Sequence, residues 1–209
     1  GVGGGSLMTP VLVISGIPIN VAVGTDLLYA AMTKASGVVV HNRLGNIRWH
    51  LVFLLAAGSI PSSLVTAFFL KDVFSASEEY LYVLNRALGL MLVLTSLSLL
   101  FSKFIVNARP LIAAKSKEQG SQAPILTVFL GLILGILVTL SSVGAGAFCA
   151  ALLVIMHPRV PVLHVIGTDI THAVPLTLVA GFSHMIIFQS IDWELLLGLL
   201  IGSLPAVQL

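Results

Sequence analysis

Charge is what this sequence has least of. Only 9% of its 209 residues are Asp, Glu, Lys or Arg, where soluble domains carry about 25%. A net charge of +2 is small and says nothing about nucleic acid. The single cysteine, Cys149, excludes an internal disulfide and any cysteine-cluster metal site. Neither Gly-x-Ser-x-Gly nor His-Glu-x-x-His occurs, so two common hydrolase signatures are missing. What fills the chain instead is apolar: 57% hydrophobic residues and a mean hydropathy of +1.09. A water-soluble fold could not bury that much apolar surface. The composition therefore reads as an all-α polytopic membrane protein, with a multi-pass location in the cell membrane.

The apolar chain repeats itself. Val2-Gly3-Gly4-Gly5, Gly24-Thr25-Asp26, His41, Trp49 and Gly58-Ser59-Ile60-Pro61 recur as Val143-Gly144-Ala145-Gly146, Gly167-Thr168-Asp169, His184, Trp193 and Gly202-Ser203-Leu204-Pro205. Internal duplication in a hydrophobic chain points to a secondary transporter, with its substrate where the halves meet. The division expected is a first repeat over 1–102, a linker over 103–123 and a second repeat over 124–209. The first Gly-rich motif lacks the apolar run that precedes the second. The sequence also stops inside an apolar stretch. A further helix is thus expected before residue 1, and at least one after residue 209.

A bilayer core requires about 20 apolar residues per helix. Spans are predicted at 20–42, 49–70, 80–102, 124–142 and 163–186, with part of a sixth at 193–209. The pieces 6–16 and 145–157 are too short to cross, and each follows a Gly-rich motif. Irregular backbone at membrane depth survives only beside protein or a water-filled cavity, so these motifs are expected to break helices at a functional cavity. Arg43 and Arg48 place the 42–48 loop in the cytoplasm, and Lys103, Arg109, Lys115 and Lys117 place the 103–123 linker there too. The 71–79 and 185–191 loops read as outside, and His157-Pro158-Arg159 as inside. These sides favour inverted repeats, provided that 124–157 forms a re-entrant hairpin.

Candidate site residues gather at the breaks. Backbone near Gly3, Gly4, Gly5, Ser6, Gly144, Ala145 and Gly146 could bind an anion at half-helix N-termini; the alternative is close helix packing, which suits Gly131-x-x-x-Gly135 and Gly198-x-x-x-Gly202. Asp26 and Asp169 either handle a proton, with His172 one turn beyond Asp169, or cap their helices. Lys34 has no basic counterpart in the second half and could contact an anion. Thr25, Thr168 and Ser142 could bind an oxyanion or satisfy backbone groups. His41 and His184 read as interfacial, and Cys149 as inert.

The stretches Gly1–Pro10, Val23–Ala31, Thr33-Lys34 and Gly45–Trp49, with Ser142–Ala147, Gly167–Ile170, His172–Thr177 and Ile191–Trp193, resemble the sulfite exporter TauE/SafE family over nearly the whole chain outside the linker. The resemblance implies a permease of about eight spans for small sulfur-containing anions such as sulfite or organosulfonates. The expected partners are that anion, the lipid bilayer and a coupling ion, with protons as the candidate. No cofactor, metal or nucleic acid is expected, and the oligomeric state is left open. The rival readings are a passive anion channel and an intramembrane enzyme built on Ser142, His172 and Asp169.

Overall fold

A computed structural model describes residues 7–73, 78–115, 123–143 and 146–208. Nine α-helices form among them: α1 (Met8–Ile14), α2 (Ile19–Arg43), α3 (Trp49–Val73), α4 (Glu78–Leu100), α5 (Ser102–Lys115), α6 (Ala123–Ser141), α7 (Ala147–Met156), α8 (Val162–Ser183) and α9 (Trp193–Gln208). A π-helical turn, His184–Phe188, extends α8. Most of the segment expected to be a linker is therefore helical, as α5.

Four helices are long and apolar enough to cross a membrane: Trp49–Asp72, Glu79–Leu100, Pro124–Ser141 and Val162–Phe188. They correspond to four of the five full spans expected. The fifth, over 20–42, forms as the 25-residue α2 but is less apolar than those four. Its surroundings explain why. Every residue from Ala22 to Ala31 is buried, so this stretch meets protein all round and has no lipid-facing stripe to keep apolar. Pro18 and Pro161 stand at the N-caps of α2 and α8 with nearly the same backbone, ψ 138° and 144°. A proline suits a helix start because it lacks only an N–H that would be orphaned there.

Glycine sets the closest helix approach. A Cβ at Gly58 would lie 2.0 Å from the Val128 carbonyl oxygen, one at Gly131 2.3 Å from that of Leu55, and one at Gly135 2.3 Å from that of Ser59. Leu55, Ser59 and Ser63 meet Gly131, Gly135 and Thr139 in turn, so α3 and α6 run parallel with backbones almost touching. The Ser62 hydroxyl donates across to the Leu132 carbonyl at 2.9 Å. Gly131 and Gly135 thus serve packing. Gly198 and Gly202 meet nothing within 4 Å, so packing does not explain them among the described residues.

The pair α2 and α8 runs the other way. Gly24 faces His184, Leu28 faces Gly181, and Gly37 faces Ile170; one position falls as the other rises. Around this antiparallel pair the duplicated motifs engage each other reciprocally. Gly24 abuts the Ser190 carbonyl, while the Thr25 hydroxyl accepts the Asp192 N–H at 3.1 Å. In the mirrored contact, Gly167 abuts the Asn46 carbonyl and the Thr168 hydroxyl accepts the Arg48 N–H at 3.0 Å. The two loops share a left-handed residue at corresponding places, Gly45 at φ 68° and Gln189 at φ 47°.

After α6 the chain turns back. Thr127, near the start of α6, shares a 2.8 Å hydrogen bond with His157, the residue after α7. The start of α6 and the end of α7 thus lie together, and the two helices form a hairpin. Apolar side chains close the bundle where α2, α4, α6 and α8 meet (Leu27, Leu84, Met91, Val138, Leu176), and a second cluster joins α3, α6, α7 and α8 through Leu55, Leu134, Leu153 and Val165.

Gly58→Ala should separate α3 from α6 and lower stability by about 1–3 kcal/mol, the usual cost of overpacking. Gly202→Ala, with open space around it, should leave the melting temperature of the detergent-solubilised protein unchanged or slightly raised. Equal melting temperatures for the two variants would remove the glycine contact as the determinant.

Candidate functional site

Asp26 and Asp169 are each the eighth residue of a helix, since α2 begins at Ile19 and α8 at Val162. Helix capping is therefore excluded for both; the prolines hold that place. Two turns inside a helix, the carboxylates need partners from other segments. Asp26 is fully buried, and its Oδ2 accepts hydrogen bonds from the Thr9 hydroxyl of α1 at 2.5 Å and the Ser142 hydroxyl at 3.0 Å. Asp169 is 4% exposed and lies beside the Cys149 thiol of α7. Each half-helix thus brings a side chain to the aspartate of the long helix that follows it. Cys149, expected to be inert, is buried next to that carboxylate. One oxygen of each carboxylate, Oδ1, has no hydrogen-bond partner among the described residues.

Lys34 ties the two carboxylates into one electrostatic system, attracting Asp169 most strongly and Asp26 next. Because α2 and α8 are antiparallel, the level of Asp26 corresponds to about residue 182 of α8. At 1.5 Å per residue the carboxylates then lie about 20 Å apart along the pair, with Lys34 between them. His172, one turn beyond Asp169, also feels the Lys34 charge. Its Nε2 shares a 2.8 Å hydrogen bond with the Ser59 hydroxyl of α3, and its Nδ1 has no partner among the described residues.

The break between α6 and α7 is built by serines as much as by glycine. Ser142 adopts the left-handed conformation, φ 58°. The Ser141 hydroxyl donates to the Leu137 carbonyl at 2.6 Å and accepts the Val143 N–H at 3.2 Å. Gly146 at the N-cap of α7 has φ 173°, an extended value open to any residue. A cavity of about 270 Å³ between α4, α5, α7 and α8 reaches this end of α7 and Asp169; Ser98, Ser102, Gly146 and Ala147 are among its lining residues.

The remaining expectations divide cleanly. Gly3, Gly4, Gly5, Ser6, Gly144 and Ala145 lie outside the described residues. Thr25 and Thr168 are fully buried, and their hydroxyls satisfy backbone N–H groups of the reciprocal contact, the second of the two roles open to them. His41 and His184 also belong there, against Gly167 and Gly24. Ser142, His172 and Asp169 do not assemble as a nucleophile set, because Ser142 bonds Asp26 and His172 bonds Ser59. Thr9 and Ser59 escaped sequence reasoning. Neither stands in a duplicated polar motif with a charged neighbour, and their partners are 17 and 113 residues away.

Apolar membrane-length helices with buried ionisable groups beside a cavity suit a membrane transporter. The chain belongs to the sulfite exporter TauE/SafE family, whose model matches residues 1–209. It is 35% identical over 213 residues to the probable membrane transporter protein YjnA of Bacillus subtilis, covering 99% of this chain and 80% of that protein. To the probable membrane transporter protein YdhB of the same organism it is 29% identical over 210 residues, covering 97% of this chain and 78% of the relative. No solved structure matches it.

Thr25→Val should leave the Asp192 N–H without its acceptor and cost about 1 kcal/mol; Thr25→Ser should restore most of that in thermal melts. His157 gives a pH effect outside the spans. Burial, with the neighbouring His50 second, holds its pKa below the ordinary 6.5. Its neutral form is thus favoured in the folded state. The stability this confers is present above about pH 6.5 and is lost as pH falls through the lowered folded value. His157→Gln should flatten the acid side of the melting-temperature profile; an unchanged profile would remove His157 as its source.

Proposed function

We propose that the chain forms the core of an ion-coupled secondary transporter that moves sulfite, or a small organosulfonate, by alternating access. The observation that carries this reading is the reciprocal engagement of the two Gly-Thr-Asp segments across antiparallel helices. Two equivalent helices running in opposite directions, each bound to the loop before the other's tryptophan helix, are what inverted-topology repeats predict. The α6–α7 hairpin supports the same reading, because a re-entrant pair keeps the loop sides consistent with inversion. Such repeats hold substrate and coupling ions near the midplane at their interface, beside discontinuous helices.

In this reading the anion enters between the Gly-rich breaks. N–H groups at the start of α7, near Gly146, and at the breaks around Gly3–Ser6 and Gly144-Ala145 receive its oxygens. Lys34 supplies positive charge between the carboxylates. Asp169, on the wall of the cavity with His172 behind it, exchanges a proton, and Asp26 is the second coupling carboxylate. Their long-range attraction to Lys34 gives the coupling a physical basis: loading a positive ion beside either aspartate releases Lys34 to hold the anion. The 42–48 loop, the 103–123 segment and the turn at His157 face the cytoplasm, a placement supported by their basic residues and by the proximity of His157 to the start of α6.

The test is sulfite flux into liposomes containing the full-length protein under imposed ion gradients, with sulfate and chloride as controls. Uphill movement of sulfite identifies a carrier; selective but strictly downhill movement identifies the channel instead. Lys34→Met should cut transport at least about tenfold, equivalent to about 1.4 kcal/mol, while leaving the melting curve cooperative. Transport unchanged in Lys34→Met would remove the lysine from the anion path.

A further inference from the structure

The two aspartates occupy corresponding places, but their surroundings differ in chemistry. Asp169 lies beside a thiol, with Lys34 as its stronger partner and His172 one turn away. Its carboxylate opens on a cavity. Among the described residues, the side chains hydrogen-bonded to Asp26 are hydroxyls. Thr9 and Ser142 both donate to Oδ2, Oδ1 has no partner among the described residues, and the side chain is fully enclosed. Lys34 is eight residues along the same helix, about 12 Å by helical rise. His184, opposite Gly24, directs its Nε2 to the Thr139 carbonyl. Lys34 acts on this carboxylate by long-range attraction.

Enclosing an ionised carboxylate costs several kcal/mol unless charge is brought to it. The oxygens here come from three separate segments: α1, α2 and the turn that ends α6. The last carbonyls of a helix have no intrahelical donors, and this end carries the negative pole of the helix dipole. The α6 terminus therefore adds to the negative potential of Asp26. Ser142 in the left-handed conformation turns the chain at that point, and Ser141 pins the turn through Leu137 and Val143. A carboxylate, hydroxyls and helix-end carbonyls make a hard, all-oxygen environment of the kind alkali and alkaline-earth cations take. Half-helix C-terminal ends coordinate Na+ in inverted-repeat carriers. A single carboxylate matches a monovalent ion.

We propose that Asp26, Thr9 and Ser142, together with the carbonyl end of α6, form a Na+ site. The coupling ion taken by Asp26 is then Na+, leaving proton exchange to Asp169 and His172. On binding, the two hydroxyls rotate their hydrogens away from Oδ2 and present oxygen to the ion. The position joins α1 and the α6 turn to α2, so Na+ draws together segments from both halves of the chain. This role in coupling rests on the transporter reading, while the site itself is testable without it.

Binding of radiolabelled Na+ to the purified full-length protein in detergent, with K+ and choline as competitors and no sulfite present, reads the site directly. Saturable binding, displaced by unlabelled Na+ but not by choline, is expected for the wild type. Asp26→Asn should abolish it, and Ser142→Ala and Thr9→Val should each weaken it about tenfold. Thr9→Ser should retain it, and Asp169→Asn should leave it intact. Absence of saturable binding in the wild type, or binding unchanged in a folded Asp26→Asn protein, overturns the site. If Asp26→Asn does not fold, unchanged affinity in both hydroxyl variants overturns it equally. Na+ binding without any sulfite movement would instead refute the proposed function and keep the site, whereas proton-driven sulfite uptake without Na+ binding would do the reverse.

Discussion

At Gly24 and Gly167 the backbone of a long helix comes so close to a loop from the other half that no side chain fits between them. A Cβ there would lie 2.5 Å and 2.4 Å from the carbonyls of Ser190 and Asn46. Each contact fixes where a loop begins its tryptophan helix, and the neighbouring threonine holds the next N–H of that loop. With both contacts in place, α2 and α8 must lie antiparallel, α3 against α8 and α9 against α2. The depth of Asp26 and Asp169 follows, because each aspartate is the residue after its threonine. The same three-residue motif therefore sets both the helix arrangement and the level at which charge is buried.

Polar atoms in hydrocarbon must find partners inside the protein, and this constraint organises the rest. Hydroxyls within helices bond backward to carbonyls one turn earlier, as Thr177 does to Ala173 and Thr171 to Gly167. Others bridge helices: Thr139 reaches Ser63, and Ser59 reaches His172. Among the described residues the exceptions include Asp26, Asp169, His172 and His184, each with one unpartnered atom, beside others at His41, Tyr80, Thr95, His164 and Ser203. An unmet hydrogen bond in a low-dielectric interior is costly.

Much of this was legible in the sequence. The spans at α3, α4, α6 and α8 could be read from unbroken apolar runs, and the break before α7 from its small and hydroxyl-bearing residues. Duplication singled out Asp26 and Asp169. Other features were hidden for physical reasons. The side chain that each short helix brings to the aspartate after it differs, a threonine hydroxyl in one half and a cysteine thiol in the other, so repetition gave no cue. The reciprocal bonds of Thr25 and Thr168 span 167 and 120 residues, and no periodicity reports contacts at that range. Capping was a reasonable reading of Gly-Thr-Asp until Pro18 and Pro161 were seen to begin the helices.

Helix α2, enclosed by protein from Ala22 to Ala31, is also one that lipid alone would accept poorly. It carries Asp26 and Lys34, and either charge at the centre of an isolated helix adds about 2.5–3.5 kcal/mol to the cost of entering a bilayer from the translocon. The neighbours that offset this cost, α8 and α9, are synthesised more than a hundred residues later. A newly made α2 must therefore wait in company with α3 or at the membrane surface until the second half emerges. The order in which this chain is made thus bears on how its charged centre is assembled: α2 brings Asp26 and Lys34 first, and the second half brings Asp169 together with the helices that make those charges tolerable.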